Sequence, residues 1–309
     1  FNNNITRLPC GLTWKRLHNS TSSFKKTVNL LRSILFFFFI SSVSSVSAKP
    51  PISADDLINY LDGKENWYGV YISTKKLGYA YERWKKEFHE GETVFKAEVG
   101  FALNTDYYKA YFEDQSTFSL KGDRNLMTQS VYDKLEDYDE NGKKIGSDEK
   151  QTNVTIDGTD YVVQTIKNEE STEVRIPFFP IDIRKYHFDV FILNNDFASE
   201  LGTTKFVSGI DLDSNKPEFS IIKEITRDRV LKNGKLIPKT SILAVQGLNT
   251  QFEVEALVEY HGLEAMRLEM LGNWLLVSEP EQKAKDPGET LKLKDIENFP
   301  INQIVKYKD

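Results

Sequence analysis

The sequence predicts a mainly β protein, built from long antiparallel strands with only a few short helices. Apolar and polar residues alternate with a period of two over most of the chain after residue 64, which is typical of half-buried strands. Two Asn-Gly dipeptides, at 141–142 and 233–234, lie between strand-like arms and supply the positive φ angles of type I′ hairpins. Helical spacing is confined to three short segments, 53–61, 189–201 and 279–285.

The first predicted element is a short helix that follows a polar linker, 49–52. Ser53 can accept a hydrogen bond from the first helical turn, and acidic residues at 55 and 56 lie near the positive end of the helix. Its apolar face consists of Leu57, Ile58 and Leu61.

The period then changes to two. Strands are predicted at 67–72 and 77–84, joined by the polar turn 73–76. From 95 to 103 every second residue is apolar and the others are mostly polar, so one face of this strand should be buried. The same pattern predicts further strands at 107–112, 116–120, 126–136, 151–156, 161–167, 236–245, 251–260 and 263–276.

The segment 25–48 has the organisation of a secretory signal peptide. Basic residues precede the apolar block 34–40, and Val-Ser-Ala at 46–48 forms a small-residue cleavage site. The apolar block is shorter than the about 20 residues that span a bilayer. We expect export to the periplasm or the extracellular space, with membrane contact only through this segment; the alternative is a retained, uncleaved anchor.

The predicted organisation is therefore upstream sequence plus signal peptide at 1–48, an exported β-rich domain at 49–290, and a tail at 291–309. Pro-Phe-Phe-Pro at 177–180 is a natural break that can subdivide the domain. The three methionines all lie after the leader, so we do not expect Phe1 to be a natural start. The sequence leaves open a longer gene at both ends.

Charge and cysteine content exclude some classes of function. The leader region holds six of the 40 Lys and Arg and none of the 46 Asp and Glu, so 49–309 has 34 against 46, a formal net charge of −12. Such a surface repels phosphate backbones, and we expect no nucleic-acid partner. Because the one cysteine is Cys10, the exported part has no disulfide, thiolate ligand or cysteine nucleophile.

No motif assigns a chemistry, and we expect no metal or cofactor. The segment 137–142 resembles the start of an EF-hand loop, but its flanks predict strands and favour a plain hairpin. The cluster at 211–215 is predicted to be a polar loop. Acidic residues at 253, 255 and 259 fit the solvated face of a strand, and histidines at 89, 187 and 261 show no metal-binding spacing.

Aromatic residues concentrate on the first predicted hairpin, and they are the candidate ligand-binding residues of the sequence. Core packing through cross-strand pairs is one explanation. The alternative is that a curved sheet presents some of them in an apolar concavity that holds a lipid, a peptide or a sugar. The six residues are Trp67, Tyr68, Tyr71, Tyr79, Tyr81 and Trp84.

The same hairpin carries a resemblance to a known family. Trp-Tyr-Gly-Val-Tyr at 67–71, followed by Lys-Lys-Leu-Gly-Tyr at 75–79, resembles the opening of the N-terminal β-domain of bacterial secreted transglutaminase-like proteins. Later segments agree in order and spacing; they lie at 138–142, 201–202, 233–234 and 278–284. The resemblance implies a large, strongly curved antiparallel sheet, similar to the half-barrel of lipoprotein carriers. The family's catalytic Cys-His-Asp set belongs to a separate domain and has no counterpart here.

Three functional hypotheses follow. The leading one is a non-catalytic exported β-domain that acts as an interaction or substrate-presenting module. The second is the N-terminal part of a transglutaminase-like peptidase or cross-linking enzyme; a stop codon directly after Asp309 would exclude it. The third is a periplasmic carrier of lipids or other hydrophobic ligands, which predicts that a lipid probe responds on titration. The expected partner is thus a protein or an apolar ligand.

Overall fold

A computed structural model describes residues 54–72, 74–122, 125–181, 204–232, 235–246, 250–259, 262–268 and 274–288. Over 218–268 it describes the backbone only. The leader, Cys10, the predicted helix at 189–201 and the tail at 291–309 lie outside these residues.

The described elements are two short helices and fourteen strands. The helices are α1 (Ala54–Leu61) and α2 (Glu281–Lys285). The strands of the first half are β1 (Glu65–Ile72), β2 (Lys75–His89), β3 (Glu92–Asn104), β4 (Tyr108–Ser119), β5 (Leu126–Tyr138), β6 (Lys144–Asp157), β7 (Asp160–Lys167) and β8 (Glu170–Pro177). Those of the second half are β9 (Thr204–Asp211), β10 (Lys216–Lys232), β11 (Lys235–Gln246), β12 (Thr250–Glu259), β13 (Gly262–Leu268) and β14 (Trp274–Ser278).

All fourteen strands form one antiparallel sheet with the order β8-β7-β6-β5-β4-β3-β2-β1-β14-β13-β12-β11-β10-β9. The chain enters the sheet in the middle, at β1, and runs outward hairpin by hairpin to β8. It resumes at the opposite edge, at β9, and returns to β14, which pairs with β1. The sheet is not closed into a barrel, because β8 and β9 are both edge strands. The predicted mainly β class is confirmed.

One face of the sheet buries the main core. Alternate residues of β3 and β4 point into it, and the rings of Phe101 and Phe112 stack at 5.4 Å between centroids. Ile58 and Leu61 of α1 are buried against the same core, as the predicted apolar face of that helix requires. Burial of each large apolar side chain contributes about 1.5–3 kcal/mol. We call this face the concave face, because the turn between β9 and β10 contacts it at β6 and β7.

The opposite face carries a smaller cluster. Trp67, Tyr81 and Ala284 are buried together, and Tyr79 packs against them. Ala284 belongs to α2, so this short helix covers the outer face of β1 and β2.

Most predicted strands are present, but two predictions of strand number are wrong. The segments 107–112 and 116–120 form the single strand β4, because Asp114 is buried and bonded within the sheet instead of turning outward. Conversely, 263–276 is divided between β13 and β14. Neither β8 nor β9 follows from apolar alternation.

The predicted break at 177–180 coincides with the end of β8 at Pro177. The strands before and after it belong to the same sheet, through the β1–β14 pair. The domain bounds stay a prediction. Among the helices of the described residues, none has the length and apolar character needed to cross a membrane.

Candidate functional site

Strand register places a row of charges across the concave face. Asp133 on β5 lies opposite Lys150 on β6, Lys150 lies opposite Lys167 on β7, and Lys167 lies opposite Glu170 on β8. Residues directly opposite one another share a face of the sheet, so these four side chains form one row, which we call the charged row.

A second row, of hydroxyl groups, lies two residues along each strand. Thr152 lies opposite Thr165, and Thr165 lies opposite Thr172. The hydroxyl oxygens of Thr152 and Thr165 are 3.5 Å apart. Because strand side chains alternate between faces, this row is on the same face as the charged row.

The opposite wall comes from the turn at 212–215, which we call the β9–β10 turn. The Asp211 carboxylate accepts hydrogen bonds from the backbone N–H of Asp213 (2.9 Å) and the hydroxyl of Ser214 (2.5 Å). Asn215 has a φ of 53°, which asparagine tolerates better than most residues. Leu212 packs against the main core, so the turn is anchored to the body of the sheet.

Contacts join the two walls. The Lys150 ammonium donates to the carbonyl oxygen of Leu212 and lies 3.0 Å from Asp213 Oδ1. The Asn215 amide donates to the Thr165 hydroxyl at 3.3 Å. The partners are 50 and 63 residues apart in sequence, and they connect strands near opposite edges of the sheet. The sheet is therefore curled. Side-chain contacts connect the regions near its two edges, which are not joined by strand pairing.

The walls enclose a cavity of about 600 Å³, within the range of ligand sites in proteins. We call it the polar groove. It is lined by Asp133, Leu135, Asp148, Lys150, Thr165, Lys167, Asn168, Glu170, Thr172, Asp213 and Asn215.

The groove has an excess of negative charge. Its lining holds four carboxylates and two ammonium groups, a formal net charge of −2. Lys150 and Lys167 face each other across β6 and β7, an arrangement that costs free energy unless each is neutralised. Lys150 is neutralised by Asp213, and Lys167 lies 3.1 Å from both carboxylate oxygens of Asp148.

A second set of buried polar residues lies on β4 and β5, on the same face as the groove. The Asp114 carboxylate accepts hydrogen bonds from the Gln129 amide (2.6 Å) and the Ser116 hydroxyl (2.8 Å), and all three residues are buried. Buried polar groups tied together in this way hold their side chains in one arrangement. None of the three lines the groove.

The six aromatic residues predicted to bind a ligand do not form one cluster. Tyr68 and Trp84 lie in the main core, whereas Trp67, Tyr79 and Tyr81 lie on the opposite face, with Trp67 centred 4.9 Å from Tyr81 and 5.6 Å from Tyr79.

The sixth aromatic residue, Tyr71, donates a hydrogen bond to Glu279. Five of the six are buried, all but Tyr79, and none of the six lines the polar groove. Packing accounts for their burial; their ligand-binding role stays a prediction.

Tyr71 belongs to a buried ionic cluster on the outer face. The Lys76 ammonium lies 2.8 Å from Glu279 Oε2, and the Tyr71 hydroxyl donates to Glu279 Oε1 at 2.7 Å. The side chains of Lys76 and Glu279 are 0% and 1% exposed. A Cβ on Gly69 would overlap the Glu279 carboxylate, so glycine makes room for the pair. The cluster ties the start of α2 to β1 and β2, which is a structural role.

The other predicted features have simple outcomes. The segment 137–142 is a hairpin turn in which the Asp139 carboxylate accepts backbone N–H groups of Asn141 and Lys143, and Gly142 has a φ of 74°. His89 lies at the exposed end of β2. The side chains at 187, 253, 255, 259 and 261 lie outside the described residues, and among those described no group of three or more His, Cys, Asp or Glu is placed to hold a metal ion.

The polar groove could not be predicted from the sequence. Strand β6 begins at Lys144, whereas the predicted strand begins at 151, because residues 144–150 contain a single large apolar residue, the exposed Ile145, and show no alternation. The cluster at 211–215 was predicted as a loop, which is right, but nothing in the sequence indicates that it contacts β6 and β7.

Comparison with known proteins adds little. The chain matches no model of a protein family and no curated protein. Among solved structures it is similar to a β-barrel-like protein of a domain of unknown function, DUF1849, from Brucella abortus, with 8% identity and a TM-score of 0.40 over 70% of this chain and 95% of that one. A likeness at this TM-score adds nothing to the strand pairing above. The resemblance to transglutaminase-like proteins stays a prediction.

Proposed function

We propose that the chain is a non-catalytic interaction module that binds an extended, polar segment of a partner protein in the polar groove. The supporting observation is that the groove is lined by Glu170 and Thr172 of β8, an edge strand that pairs only with β7 among the described residues. An extended segment can add to such an edge through backbone hydrogen bonds and place alternate side chains in an adjoining groove.

The residues of β8 suit this role. Glu170 and Thr172 line the groove, and the intervening Ser171 lies on the other face. A segment paired with β8 would therefore set every second side chain beside a carboxylate and a hydroxyl group. The backbone of the edge would supply affinity, and the groove would supply selectivity.

A carrier of hydrophobic ligands has less support. Such a protein needs an open apolar cavity. Over β3–β5 the concave face is filled by the protein's own side chains, among them Phe95, Phe101, Phe112 and Phe118, all buried. The polar groove beside this core is lined mainly by charged and polar residues.

The test uses a single introduced cysteine in the full chain with Cys10→Ser. An environment-sensitive dye is attached at Thr172→Cys, in the groove, and in a matched variant at Ser171→Cys, on the opposite face of the same strand. A tryptic digest of casein serves as a mixture of polar peptides, and oleic acid serves as the apolar probe.

We expect the peptide digest to change the dye emission at 172 and not at 171, and oleic acid to change neither. A response at 172 to oleic acid alone would favour the hydrophobic carrier. Failure of the digest to change the emission at 172 would contradict the proposal.

A further inference from the structure

We infer that the bound segment is basic, and that the groove selects lysine or arginine side chains. The inference rests on the proposed function and names the chemistry of its partner. The observation behind it is that both ammonium groups of the groove are already paired with carboxylates of the protein.

Both lysines of the groove are occupied from within. Lys150, whose side chain is 17% exposed, is bound by Asp213 and by the Leu212 carbonyl. Lys167 is bound by Asp148. An acidic ligand would have to displace these groups before it could pair with either ammonium, and it would leave the displaced carboxylates in the same cavity.

The carboxylates of the charged row lie at its two ends. Asp133 is 6% exposed and lies on the floor of the groove, on β5, whereas Glu170 is exposed at the rim, on β8. Three strand spacings separate β5 from β8, or about 14 Å. This distance exceeds the length of a lysine or arginine side chain, so a segment paired with β8 would bring its cations to Glu170 at the rim and not to Asp133.

Neutral acceptors also line the groove. Thr165, Thr172 and Asn168 carry oxygens that can accept hydrogen bonds from an ammonium or guanidinium group. The chain as a whole carries a formal charge of −6, which attracts a basic segment at long range.

The experiment compares three peptides of one length, Gly-Lys-Gly-Lys-Gly, Gly-Ser-Gly-Ser-Gly and Gly-Glu-Gly-Glu-Gly. Each is titrated into the full chain labelled at Thr172→Cys, with Cys10→Ser. We expect the lysine peptide to bind at least about tenfold more tightly than the serine peptide, since a charge-assisted hydrogen bond is stronger than a neutral one. Its affinity should fall as salt is added.

Two further variants locate the selectivity. Glu170→Gln should weaken binding of the lysine peptide about fivefold or more, because it removes the groove carboxylate that lies on β8 itself, beside the added segment. Glu173→Gln, three residues away on the opposite face of β8, should leave the affinity unchanged. Because both positions are exposed, neither variant should fail to fold.

The results distinguish a failure of the basic selectivity from a failure of the proposed function. Tighter binding of the glutamate or serine peptide at residue 172 would overturn the basic selectivity and leave the proposed function standing. Equal weakening by Glu170→Gln and Glu173→Gln would also overturn it, since general attraction would then explain the preference. If neither the casein digest nor any of the three peptides changes the emission at 172, the proposed function fails together with the inference.

Discussion

At the scale of single residues, the Lys76–Glu279 pair shows how position determines what an ion pair contributes. Among the residues that the structure describes, most ion pairs are at least partly exposed, and such pairs contribute little. Lys76 and Glu279 are almost completely buried, so each charge depends on the other, on Tyr71 and on Lys283 for compensation.

Removing one partner should therefore be costly. We expect Glu279→Ala to lower the free energy of unfolding by about 3–5 kcal/mol, because it leaves the Lys76 ammonium buried without its carboxylate. Urea unfolding measures the change. The matched control is Glu281→Ala, two residues away, whose exposed pair with Lys285 should contribute no more than about 1 kcal/mol. Equal losses in the two variants would show that the burial of the pair is not decisive.

The Lys76–Glu279 pair also shows what could not be predicted from the sequence. The sequence predicts Lys76 in the polar turn 73–76, and lysine is rarely buried, yet Lys76 is the second residue of β2 and its side chain is buried. Its partner is 203 residues away. No local pattern connects the two residues, so only the fold shows the pair.

At the scale of elements, apolar alternation predicted strands well wherever one face of the strand meets the apolar core. Strand β3 is the clearest case, since the residues that alternate from 95 to 103 are those that the core buries. The rule failed over the first half of β6 and over β8, because the residues with which these strands line the groove are polar, namely Asp148, Lys150, Glu170 and Thr172. The failure marks the candidate site itself.

The β9–β10 turn should depend on Lys150 for its position. We expect Lys150→Met, which keeps the apolar stem and removes the ammonium, to increase amide hydrogen exchange across 211–216 and to cost about 1 kcal/mol of stability. Exchange followed by mass spectrometry measures the first effect and urea unfolding the second. Lys144→Met, which breaks the exposed pair with Glu136, is the control and should leave exchange at 211–216 unchanged. Unchanged exchange in Lys150→Met would mean that Leu212 packing and the Asn215–Thr165 hydrogen bond hold the turn without Lys150.

At the scale of the whole molecule, the sheet takes several tyrosines wholly or partly out of water, among them Tyr81, Tyr108 and Tyr111. Burial raises the pKa of Tyr108 to about 12, and burial together with the hydrogen bond to Glu113 raises the pKa of Tyr111 to about 12. Burial, followed by the nearby charge of Glu113, also raises the pKa of Tyr81. In the unfolded chain the corresponding pKa is about 10.

These shifts predict alkaline sensitivity. The unfolded chain loses tyrosine protons from about pH 10, whereas the folded protein retains them until about pH 12, so the free energy of unfolding should be steady below pH 10 and fall between these values. Urea unfolding at several pH values between about 10 and 12 measures how steeply the free energy of unfolding falls with pH. Tyr108→Phe should reduce the slope, and Tyr107→Phe, at an exposed neighbouring residue, should not. A slope unaffected by Tyr108→Phe would contradict this origin.

The most direct test of the account is amide hydrogen exchange of β8, followed by NMR, as the Gly-Lys-Gly-Lys-Gly peptide is added. If an extended basic segment adds to the sheet beside the groove, alternate amides between Glu170 and Pro177 that face away from β7 should become protected at saturation. The amides of β9, at the other edge, should not change. Saturable binding that leaves every β8 amide unprotected would contradict strand addition and, with it, the central claim.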